Sequence, residues 1–146
     1  MAKFKYRMQN ILDVKLKLES QAKIAYSAAN QKYLEEQNKL QELMIRRVGY
    51  ERELKDLMSG IIDVKRISHV RSDINSIKTL IRRQSVSVHK AQMELEQARQ
   101  HLNELMKDRK THEKLREKAF EEFKQEIKAE ESKEIDELVS YTYNAR

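Results

Sequence analysis

The sequence predicts an all-α protein: two long helices forming an antiparallel coiled-coil hairpin, with a turn near residues 59–66 and the second helix longer than the first. Three observations predict it. Of 146 residues 37% are charged and only 6% aromatic, with two glycines and no proline, which is too little bulk for a layered core and suits long helices leaning on narrow stripes. Apolar and small residues recur at alternating spacings of three and four along two segments. Between those segments stands one strong break, Ser59-Gly60, where glycine can take the left-handed conformation that ends helices.

In the first segment Met8, Lys15, Ala22, Ala29, Glu36, Leu43, Tyr50 and Leu57 recur every seven residues. A second line runs through Phe4, Ile11, Leu18 and Ala25, then moves over by one residue to Tyr33, Leu40, Arg47, Leu54 and Ile61, as expected where 3.6 residues per turn meets a repeat of 3.5. Alanines 22, 25, 28 and 29 favour helix and allow close approach of a partner helix. Gly49 sits inside an intact repeat, so it reads as a helical glycine costing about 1 kcal/mol and not as the turn.

The second segment carries Val70, Ile74, Ile77, Ile81, Gln84, Val88, Ala91, Leu95, Ala98, Leu102 and Leu105, and resumes at Ala119 and Phe123. Arg109, His112 and Arg116 occupy seam positions between, which weakens pairing locally and restricts its register. A first helix of about 55 residues would be roughly 80 Å long. Folding back at the turn sets Phe4 near Lys118 and leaves the second helix overshooting by about 25 residues, within a single coiled-coil domain spanning residues 1–146.

Catalytic, metal and cofactor chemistry find no support. There is no cysteine, and the four histidines lie eleven or more residues apart, so none forms the i, i+4 pair of a helical metal site. His112-Glu113 begins like a zinc-protease helix, but Arg116 stands where the second histidine belongs. No glycine-rich phosphate loop or serine elbow occurs. No apolar run reaches the roughly 18 residues needed to span a bilayer, and the start lacks a signal-peptide pattern.

The net charge of +6 is unevenly spread. Lys and Arg against Asp and Glu stand 12 to 8 in residues 1–58, 7 to 2 in 59–90, 7 to 6 in 91–118, and 4 to 8 in 119–146. The basic middle contains Lys65, Arg66, Arg71, Lys78, Arg82, Arg83 and Lys90 without aromatic stacking residues, and Ile61, Ile62, Val64 and Ile67 crowd the same turn. That turn reads as a contact surface, with Ile61, Ile62, Ile67, Arg71 and Ile74 as its candidate residues.

Both ends resemble one family. The opening FKYRMQNILDVKLKLE is similar to the start of the flagellar export protein FliJ family, and the closing EESKEIDELVSYTYNAR is similar to its Asp-Glu tail. The resemblance implies a cytoplasmic, non-enzymatic component of the flagellar type III export apparatus at the cytoplasmic face of the basal body, peripheral to the membrane through partners only. The implied partners are the hexameric export ATPase FliI, which it would stimulate as a central stalk, the export-gate protein FlhA, and export chaperones, with no cofactor and no nucleic acid. Phe4, Tyr6, Arg7, Lys133, Glu134, Asp136 and Glu137 match the terminal motifs and are the implied ring contacts, and the turn residues would serve the gate. A generic coiled-coil scaffold, or a nucleic-acid-binding coiled coil using the basic middle, is the alternative.

Overall fold

The computed structural model describes residues 3–144. It consists of α1 (Gln9–Leu57) and α2 (Val64–Asn144), packed against each other as a hairpin, the second helix being the longer. The pairing is antiparallel, because partner numbers fall on α2 as they rise on α1: Gln9 with Arg116, Lys15 with Asp108, Lys32 with Glu94, and Glu36 with Gln84. By contacts the chain divides into a terminal unit, Met1–Gln21 with Asn103–Arg146, and a middle unit, Ala22–Leu102.

The turn occupies residues 58–63, slightly earlier than the range 59–66 expected from sequence. Met58 and Ser59 close the last turn of α1 by donating to the carbonyls of Leu54 and Asp56 at 3.1 and 3.2 Å, and Gly60 follows at φ 128°. A side chain there would be strained, which is why glycine ends the helix. Asp63 then starts α2: its carboxylate accepts the Arg66 backbone N–H at 3.3 Å and its carbonyl accepts that of Ile67 at 3.0 Å, an N-cap that places Val64 to Arg66 already inside the helix.

Within the middle unit Val70, Ile74, Ile77 and Ala91 are buried from α2 and Ala22 from α1. Each large aliphatic so buried stabilises by about 1.5–3 kcal/mol. Every apolar α2 seam position expected from the sequence is buried or half-buried, and Ile127 extends the series.

On α1 the structure corrects one line of the seam. The inward positions are Leu12, Lys15, Glu19, Ala22, Tyr26, Ala29 and Tyr33, continuing through Leu57 in an unbroken alternation of three and four. No shift at Ala29 occurs. Ile11, Leu18 and Ala25 are exposed, and so is Ile61, which lies beyond the helix. The apparent shift came from preferring Leu18 to its neighbour Glu19, yet Glu19 is the seam residue, 3% exposed and paired with Arg109 across the helices. The seam arginine that meets this carboxylate offsets part of the cost of burying it.

Gly49 is helical, as expected, and a Cβ built on it meets nothing within 4 Å. Gly49→Ala should therefore stabilise the protein by about 0.5–1 kcal/mol, read as a higher denaturant midpoint at unchanged slope.

Candidate functional site

The terminal unit joins the chain's first described residues to α2 through an aromatic cluster. Phe4 packs on Phe120 at 5.0 Å, edge to face, and on Phe123 at 5.4 Å. The Arg116 guanidinium lies 5.7 Å from the Phe4 ring and the Lys124 ammonium 4.6 Å from the Phe120 ring. Such contacts add about 0.5–1.5 kcal/mol to area burial and fasten the residues before α1 to the longer helix. Tyr6 is half-buried, its hydroxyl enclosed without a hydrogen-bond partner among the described residues. Arg7 points to solvent.

Further along α1 within the terminal unit the same seam turns polar. Lys15 pairs with Asp108, and Arg109 pairs with both Glu19 and, at 2.9 Å, Glu113. Arg116 donates to the Gln9 side-chain carbonyl at 3.0 Å. Hydrogen bonding by Glu113, and next by Glu19, pushes the Arg109 guanidinium even further above neutrality, so the arginine is a permanent charge. In the middle unit the Gln84 amide does similar work, donating to the Glu36 carboxylate at 2.5 Å and holding it below the ordinary carboxylate range. These pairs fix which residues face each other, since a one-residue slip would strand a buried charge.

Beyond Ile127 every described residue of α2 is exposed. Lys133, Glu134, Asp136 and Glu137 project from this segment without an ion pair among the described residues. No described hydrogen bond, ion pair or ring contact joins them to residues 4–7, so the two terminal sets expected to act together are brought to one unit but not to one cluster.

The structure adds a feature that the reading of the acidic tail missed. Ile135, Leu138, Val139 and Thr142 follow one another at i, i+3, i+4 and i+7, with the three apolar members each at least 60% exposed, and Leu138, Val139, Thr142 and Tyr143 line a shallow groove. That spacing was the available signal, masked by the acidic residues between.

At the turn Ile61 and Ile62 are exposed, Arg71 is exposed and Ile67 is half-buried. Ile74, expected beside them, is buried in the seam and supports the helix pair from inside. Among the described residues no group of three His, Asp or Glu is arranged to hold a metal ion, and no helix is long and apolar enough to cross a membrane.

A family model described as flagellar FliJ protein matches residues 4–146. The chain belongs to the flagellar FliJ family. It is with that a component of the flagellar export apparatus, and the described residues 4–21 and 103–144 of the matched region lie in its terminal unit. A solved structure described as that of a YscO homologue, CT670 from Chlamydia trachomatis, is similar in fold at 20% identity, with a TM-score of 0.69 over 97% of this chain and 96% of that one. No curated protein matches the chain.

Proposed function

We propose that this chain is a non-catalytic stalk of the export apparatus, whose terminal unit enters the central opening of the hexameric export ATPase FliI and raises its turnover. The observation that carries this reading is the segment of α2 after Ile127, where an exposed apolar stripe lies beside acidic residues that have no ion pair among the described residues. A helix face of that kind needs a partner surface, and acidic groups beside it select a basic one. Two helices side by side measure about 20 Å across, from helix diameters of roughly 10 Å each, which suits a ring opening. Phe4 supports this end from within by packing on Phe120 and Phe123, and Arg7 is free to meet the ring.

The turn, in this proposal, links the ATPase to the export gate protein FlhA, and chaperones dock on the same apparatus at its cytoplasmic face. Ile61 and Ile62 supply apolar contact and Arg71 the charge that speeds encounter. The two roles separate experimentally. Ile61→Ser with Ile62→Ser should leave helicity and ATPase stimulation unchanged while abolishing swimming; unchanged swimming refutes the role of the turn.

A further inference from the structure

We propose that the outer face of α2 next to the turn binds anionic lipid headgroups directly, with the aliphatic side chains of the turn dipping into the bilayer interface. Residues 59–90 carry seven Lys and Arg against two Asp. Of those cations, Lys65, Arg82, Arg83 and Lys90 fall on the side of α2 away from Val70, Ile74 and Ile77 and are exposed, while exposed Arg71 and half-buried Lys78 lie on its flank. None of the six has a carboxylate within 4.0 Å among the described residues, whereas elsewhere cations pair locally, as in Arg47 with Glu51 and Lys124 with Glu121. The two aspartates are withdrawn: Asp63 caps the helix, and half-buried Asp73 lies 3.6 Å from His69. The face is thus a stripe of one sign about 40 Å long at 1.5 Å per residue.

At its end stand Ile61, Ile62 and Val64, of which Ile61 is 101% exposed. An aliphatic group beside a cation row matches a bilayer interface, where headgroups take the charge and the acyl boundary takes the isoleucines. The other polyanions fit less well. Residues 59–90 contain no Phe, Tyr or Trp on which bases could stack. Serine and asparagine at Ser68, Ser72 and Asn75 fill spaces between cations, giving hydrogen-bond donors to phosphate without fixing a register. This contact would add a direct membrane attachment to the indirect one expected through partners, and it does not depend on the ring.

The test is flotation of the full-length chain with vesicles of phosphatidylcholine containing about one third phosphatidylglycerol, against vesicles of phosphatidylcholine alone. Binding is expected only to the anionic vesicles, falling steeply as salt rises from about 50 to about 300 mM. Each cation near such a surface contributes roughly fivefold, so Lys78→Gln, Arg82→Gln and Arg83→Gln together should weaken binding by about a hundredfold at unchanged helicity. Ile61→Ser with Ile62→Ser should release the binding that survives high salt. Equal binding to both vesicle types, or none to either, overturns the proposal. So does a duplex oligonucleotide that binds more tightly and displaces the vesicles. ATPase stimulation measured without lipid should be unaffected by these variants, which keeps a failure here separate from a failure of the stalk.

Discussion

Arg109→Leu should destabilise the terminal unit by about 3–5 kcal/mol, among the largest effects any single substitution can have in this protein. Glu19 is 3% exposed, and the substitution takes away the guanidinium that meets its carboxylate across the seam. Removing the arginine is costly because the desolvation of the Glu19 carboxylate remains while the cross-helix attraction that helped to offset it is gone. The converse change should be milder: in Glu19→Leu, Arg109 keeps Glu113 at 2.9 Å and part of its exposure to water. Replacing both by leucine should restore stability to near the starting value or above it, since the seam then closes over apolar side chains. Hydrogen exchange locates the effect: in Arg109→Leu, amides of residues 9–21 and 103–117 should lose protection, while those around Val70, Ile74 and Ile77 keep theirs. Equal denaturation midpoints for all three variants would mean that the pair contributes nothing and that register is set elsewhere.

Deleting residues 133–146 should remove most stimulation of the cognate export ATPase while leaving the thermal midpoint of the hairpin within a few degrees. The described part of this segment makes no interhelical hydrogen bond or ion pair, and all of it is exposed, so the fold loses nothing by its removal. What is removed is the stripe of Ile135, Leu138 and Val139 together with Glu134, Asp136 and Glu137. Two substitution sets divide the cause. Leu138→Ser with Val139→Ser tests the apolar face and should act mainly on complex lifetime, and Glu134→Gln, Asp136→Asn and Glu137→Gln test the charge and should act mainly on association rate and salt dependence. Full stimulation by the truncated chain would move the ring contact to Phe4, Tyr6 and Arg7.

The hairpin was legible in the sequence because its determinants are local and periodic. The alternation from Val70 to Leu105 needs no tertiary information, and Ser59-Gly60 is the one place where both helix-ending chemistry and an interrupted repeat coincide. The line through Ile11, Leu18 and Ala25 misled because hydrophobicity was the only guide to the seam. Whether Glu19 can be buried depends on Arg109, ninety residues away, which a one-dimensional pattern does not show. The same reasoning included Ile74 in the turn surface: a strong seam residue near an exposed cluster looks like part of it until burial separates them. Phe4 is the opposite case. Its nearness to residues around Lys118 followed from folding the chain at the turn, and the structure places it on Phe120 and Phe123.

As proposed, the chain does no chemistry itself and acts as a stalk within a ring. The most direct test of this proposal is the rate of ATP hydrolysis by the purified cognate export ATPase as the full-length chain is titrated in. The stalk account predicts that the chain alone hydrolyses nothing, that turnover rises several-fold, and that the rise saturates near one chain per hexamer. Turnover that stays flat through a large excess of chain, with the ATPase hexameric throughout, would contradict it.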